Sequence, residues 1–121
     1  MQMKIAIGGQ LNKNEIQAYI ENNAPEGVTC EVYTDMDAAM RVKMGECDYY
    51  VGACQSGAGG ALAMAYAILG QDACITIGTI GIAPKEEKVV QGFERGCKAF
   101  GFTNEQVETA MELFLKHLPL T

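Results

Sequence analysis

Along the chain, short apolar runs alternate with segments whose apolar positions recur at helical spacing. Lys4-Ile5-Ala6-Ile7 ends in Gly8-Gly9, which predicts a buried strand entering a tight turn. Asn12 is then placed to cap a helix, with Glu15 three residues on to complete a capping-box-like pair. Ile16, Tyr19 and Ile20 give that helix a core face, and Pro25 ends it. A second strand is predicted over Thr29 to Tyr33. A helix capped by Thr34 or Asp35 follows, carrying Met36, Ala39, Met40 and Met44, with Gly45 beyond its end.

Tyr49-Tyr50-Val51-Gly52-Ala53 predicts a third strand running into Cys54-Gln55-Ser56-Gly57-Ala58-Gly59-Gly60. The helix expected from about Gly60 to Leu69 has almost no polar face, so it should be buried on most sides, against the sheet and against another helix or subunit. Cys74 to Ile77 predicts a fourth strand. Pro84 suits the first position of the next helix, with Glu86 and Glu87 in its first turn and Val89, Val90, Phe93 and Cys97 facing inward. Lys98 to Phe102 reads as a short fifth strand. Thr103 with Gln106 forms a capping box for a last helix facing inward through Val107, Ala110, Met111, Phe114 and Leu118.

Strands and helices that alternate with short connections build one α/β domain over residues 1–121. The expected architecture is a three-layer, doubly wound, mostly parallel sheet of four to five strands, flavodoxin-like or Rossmann-like. The expected strand order is 2-1-3-4-5. Ligands in such sheets bind at the carboxyl ends of the strands, where the order reverses between strands 1 and 3. Those ends carry Gly8-Gly9 and the Cys54 loop.

The loop itself has the composition of an anion cradle. Glycines let backbone N–H groups turn outward, and the start of a helix adds positive potential. The candidate ligand-binding residues are Gly8, Gly9, Gln10, Cys54, Gln55, Ser56, Gly57, Ala58, Gly59 and Gly60. Cys54 and Ser56 are candidate catalytic groups, since a thiol beside a helix start is activated and a hydroxyl can share the same ligand. The same glycines would also serve simply to let a helix pack closely on a sheet.

Composition narrows the field. Nine basic residues against fifteen acidic ones give a net charge of −6, which disfavours nucleic acid and anionic membranes as partners. The five cysteines are odd in number and lack a Cys-x-x-Cys, and His117 is the one histidine. No metal site, cofactor or disulfide framework is expected, and the four cysteines other than Cys54 read as structural, with a surface place left open for Cys47. His117 suits the negative end of the last helix, and Asp35 and Asp37 suit a helix start. Met36, Met40, Met44, Met64 and Met111 fit core positions. No apolar run reaches the ~20 residues of a membrane span, so the chain is expected to be cytoplasmic. A Walker loop is excluded because no Gly-Lys-Ser/Thr follows the glycines, and a phosphatase loop because position 60 is Gly where Arg is required.

Two resemblances add to this reading. Asp37-Ala38-Ala39-Met40-Arg41-Val42-Lys43, Asp48 to Cys54, Ser56-Gly57-Ala58-Gly59 and Ala99-Phe100-Gly101-Phe102 resemble the bacterial YhfU-like family, a domain of unknown function (DUF2620). That resemblance implies gene clusters that also encode a membrane transporter, and hence metabolite uptake or processing. Cys54-Gln55-Ser56-Gly57-Ala58-Gly59 is similar to the Cys-Gly-Thr-Gly-x-Gly loop of the ribose-5-phosphate isomerase B family. Carried over, Cys54 would be a proton-transfer base, Ser56 its hydroxyl partner, and Gly57 to Gly60 oxyanion donors. The chain departs from that family after strand 1, where Gly9-Gln10 replaces an Asp-His pair. Arg41, Arg95 and His117 do not fall in the positions of its further histidines and arginines.

Three functions follow: a module binding an anionic or phosphorylated small metabolite, a sugar-phosphate isomerase or lyase with Cys54 as base, and an oligomeric accessory subunit. The partners expected are a small anion, a second copy of the chain, and a transporter component.

Overall fold

The computed structural model describes residues 2–55 and 60–120. Five strands form one sheet: β1 (Met3–Gly9), β2 (Val28–Val32), β3 (Tyr49–Cys54), β4 (Cys74–Thr76) and β5 (Ala99–Thr103). Every pairing is parallel. The helices are α1 (Lys13–Asn23), α2 (Asp35–Lys43), α3 (Ala63–Leu69), α4 (Glu86–Glu94) and α5 (Val107–His117), and a short 3₁₀ turn over Gly60–Leu62 leads into α3.

The strand order is 2-1-3-5-4, which corrects the expected 2-1-3-4-5. Side-chain character explains the exchange. β5 is buried throughout and carries Phe100 and Phe102, both fully buried, so it needs a strand and a helix layer on every side. β4 is three residues long and tolerates an edge. Because parallel crossovers are right-handed, the return from β4 to β5 puts α4 on the same face as α1 and α5. α2 and α3 cover the other face.

The two faces differ in bulk. Toward α1, α4 and α5 the sheet presents Ile5, Ile7, Tyr49, Val51, Phe100 and Phe102, and Phe93 and Phe114 join the rings of Tyr49 and Phe100. Toward α2 and α3, alternation brings up Ala6, Gly8, Gly52, Ala99 and Gly101, with Tyr50 as the large ring among these strand positions. Helices approach closely on that side, and Leu62 fills the space over Gly101.

Local expectations fare unevenly. Thr34 caps α2 by accepting from Asp37 N–H at 3.1 Å, and Gly45 follows with φ +80°. The inner face of α5 is as expected, with Val107, Ala110, Met111, Phe114 and Leu118 all buried. Asn12 precedes α1 with φ 58°, and its side chain donates to Glu15 Oε1 at 2.7 Å instead of capping a backbone N–H. Pro84 lies outside α4, which begins at Glu86.

Two burial expectations are corrected and a third is decided. Met36, Met40 and Met44 are 58%, 37% and 63% exposed, because α2 packs through Ala38, Ala39 and Val42 and turns its methionines outward. Cys47, for which the sequence leaves a surface place open, is buried. α3 is not enclosed: Ala63 and Ala67 are exposed, since only α2 flanks it in its layer. Among the described residues, no helix is long and apolar enough to cross a membrane.

Candidate functional site

The carboxyl ends of β1 and β3 meet as the periodicity predicts. Gly8 pairs with Gly52 and Gly9 with Ala53, at the point where the chain's crossovers change direction. β2 lies on one side of β1 and β3 on the other, so the connections leaving these two strands diverge and open the edge between them.

Tyr50 organises this edge. Its ring lies fully buried under α3, and a Cβ at Gly8 would come within 2.5 Å of that ring. Its hydroxyl accepts from Gly9 N–H at 2.8 Å and donates to the Ala61 carbonyl at 2.7 Å. Burial pushes the Tyr50 phenol far above the usual tyrosine range, so it stays protonated and keeps both bonds. One side chain thus ties the end of β1 to the turn that launches α3.

The amides after β1 are committed internally. Gly9 N–H goes to Tyr50, and the Gln10 and Leu11 N–H groups both donate to the Ala53 carbonyl. Gly9 holds φ +79°, a turn that an L side chain resists. What β1 offers outward is therefore the exposed side chain of Gln10. Its Oε1 lies 3.4 Å from where a Cβ on Gly60 would stand, and Cys54 Sγ lies at the same 3.4 Å. Gln10, Cys54 and Gly60 accordingly surround one small space.

Cys54 closes β3, is 2% exposed, and pairs with Thr103 at the end of β5. Gln55 follows it. Ser56, Gly57, Ala58 and Gly59 lie outside the described residues. Of the sequence-derived site residues, then, the structure brings together Gly8, Gly9, Gln10, Cys54 and Gly60 along one edge.

Sequence reasoning placed Gln106 in a capping box with Thr103 but missed its second role, and it missed Tyr50. Gln106 Oε1 accepts from Thr103 N–H at 3.2 Å while its Nε2 donates to the carbonyls of Thr79 and Ile82, at 3.0 and 2.9 Å. The capping box thereby also anchors the Thr79–Ile82 turn, which follows the outermost strand β4. Tyr50 had one available signal, as the bulky residue of β3 facing a side otherwise lined by Ala6, Gly8, Gly52, Ala99 and Gly101. The other charged candidates are engaged elsewhere: His117 with Glu86 at 2.6 Å, and Arg41 with Asp37 and Glu46.

Of the remaining cysteines, Cys47, Cys74 and Cys97 are buried and Cys30 is half-buried against the core. Burial pushes Cys30 and Cys74 up to about 11 and raises Cys47 and Cys97 as well.

A family model described as "Protein of unknown function DUF2620" matches residues 3–118. The chain belongs to this family. It is 41% identical over 115 residues to "Uncharacterized protein YhfU" of Escherichia coli (strain K12), covering 95% of this chain and 97% of that one. The Shigella flexneri protein of the same description matches at the same identity and coverage. Among solved structures, ribose-5-phosphate isomerase B from Giardia lamblia superposes with a TM-score of 0.67. That likeness covers 93% of this chain and 94% of the other at 14% identity, so what the DUF2620 chain shares with it is the fold.

Proposed function

We propose that this DUF2620 protein binds a small anionic, phosphorylated metabolite at the carboxyl edge between β1 and β3. The observation that carries the reading is the convergence of Gln10 and Cys54 on the space beside Gly60, at the reversal point of a parallel sheet. On the β1 side the Gly9 amide is already committed to Tyr50, which leaves the Gln10 side chain as the donor there. A net charge of −6 means that attraction for an anion has to be local, through amides and the Gln10 side chain. The solved isomerase of similar fold carries a phosphorylated sugar in its name, which makes sugar phosphates the first ligands to try. The reading takes the protein as cytoplasmic, where such metabolites are found, and leaves room for a partnership with a transporter.

Thermal-shift titration with ribose 5-phosphate, inorganic phosphate and small carboxylates tests this. Stabilisation that rises with ligand concentration and is lost in Gln10→Ala is the expected result. An unmoved melting temperature with every one of these anions overturns the proposal.

A second reading makes Cys54 a proton-transfer base for a sugar phosphate. It is supported by the thiol's place at the strand end beside Gln10. In such a step the thiolate takes the proton from the carbon next to the sugar carbonyl and leaves an enediolate. Incubation with ribose 5-phosphate in D2O should then place deuterium at that carbon, and Cys54→Ala should abolish the exchange. Absence of exchange in the parent protein removes the enzyme and leaves the binding module.

A further inference from the structure

α2 carries Met36, Met40 and Met44 as a ridge at four-residue intervals, all three turned to solvent. Beside it on the same layer, α3 packs against α2 and exposes Ala63 and Ala67. Methionine ridges next to small residues accommodate a facing surface well, because the thioether chains rearrange and the alanines permit close approach. The question is what covers them.

Charge supplies the answer. At about 100° per residue, Asp37 and Lys43 lie about 60° to either side of Met40. Asp37 shares its flank with Arg41, 3.5 Å away, and Arg41 also pairs with Glu46, so two carboxylates against one guanidinium leave that flank net acidic while Lys43 makes the other basic. Asp37 and Lys43 are both exposed. A two-fold axis running along the methionine ridge lays each ridge on its own copy and sets the acidic flank of one against the basic flank of the other. Residues 34–46 hold three acidic residues and two basic ones, so this strip is far closer to neutral than the chain's −6. A membrane surface is a poor occupant for a chain of that charge.

We propose that a second copy of this chain docks on the α2–α3 face, methionine ridge against methionine ridge, with Asp37 of each copy opposite Lys43 of the other. A two-fold interface must be self-complementary, and this surface pairs an acid with a base across its own apolar centre. The proposal is independent of the ligand reading, since neither Gln10 nor Cys54 takes part.

Sedimentation equilibrium over a range of concentrations tests it. The parent chain should dimerise, and Met40→Glu should raise the dissociation constant at least about tenfold. Met44→Glu, at the most exposed methionine, provides a second variant that leaves the core untouched. Asp37→Lys and Lys43→Asp should each weaken self-association by about tenfold, and an equimolar mixture of the two should recover the parent affinity within about threefold. In that mixture every flank again meets its opposite. A parent chain that stays monomeric overturns the proposal, as does a dimer indifferent to both glutamate variants. Charge variants that dimerise as tightly as the parent, or a mixture that fails to reassociate, overturn it equally.

Discussion

The Tyr50 hydroxyl takes the Gly9 N–H at 2.8 Å, joining the end of β1 to a side chain from the start of β3. Since the same hydroxyl donates to Ala61, the carboxyl edge of the sheet is set by one buried side chain and not by the glycines alone. The ring fits because Gly8 has no Cβ to meet it.

Tyr50→Phe should therefore cost more than an oxygen atom suggests. It keeps the ring but leaves a buried N–H and a buried carbonyl unpaired, a loss of about 2 kcal/mol in urea unfolding. Gly8→Ala pushes a methyl group into the ring and should lose about 1–3 kcal/mol. If Tyr50→Phe unfolds at the parent's urea midpoint, the hydroxyl does not hold the edge together.

Gln106 connects the end of β5 to the Thr79–Ile82 turn. Thr79 and Ile82 exchange backbone hydrogen bonds at 3.1 and 2.9 Å around Gly81, which has φ +76°. In Gln106→Ala the carbonyls of Thr79 and Ile82 lose their side-chain donor, and Thr103 N–H loses its cap. The expected outcome is a loss of about 1 kcal/mol and faster amide exchange at Thr79 and Ile82 than in the parent. Exchange rates there that match the parent would show that the turn holds itself.

Glu86 gives a pH signature. Lys116, at 2.8 Å, and then His117 hold its carboxyl down to about 2, from an ordinary 4.5. A depressed carboxyl stabilises the folded chain fully above its unfolded value. That contribution falls away as pH drops from about 4.5 through about 2. The melting temperatures of the parent and of Glu86→Gln should thus differ most near neutral pH and converge on acidification. A gap of the same size at about pH 6 and about pH 3 contradicts the assignment.

Thiol labelling separates the cysteines. With their pKa near 11, Cys30 and Cys74 hold a thiolate fraction at pH 8 about a hundredfold below that of a thiol at 9.0. Mass spectrometry after brief alkylation of the folded protein should find both unmodified, with labelling appearing as the pH approaches 11. Rapid modification at pH 8 would show that the burial of Cys74, or the partial cover over Cys30, is not maintained in solution.

How far the sequence reaches can be judged from particular elements. Alternating apolar runs and helical periodicities located all five strands and five helices, because burial on a sheet or a helix face imposes a local period that the chain carries on its own. The meeting of Gly8-Gly9 with the end of β3 was likewise legible, since right-handed crossovers limit where the sheet can reverse. Capping by Thr34 and the Thr103–Gln106 pair depend on contacts three residues apart and were readable for that reason.

Tertiary structure alone decided the rest. Which of β4 and β5 stands at the edge depends on the summed packing of Phe93, Phe100 and Phe114 from three separate elements. Whether Met36, Met40 and Met44 are core or surface depends on which side of α2 finds the sheet, and Ala38, Ala39 and Val42 won that contact because the glycine- and alanine-lined face admits only a close approach. The commitment of the Gly9 amide to a tyrosine 41 residues away has no local trace at all. Sequence patterns report what neighbours along the chain require of each other; partners brought together only by folding leave no period to read.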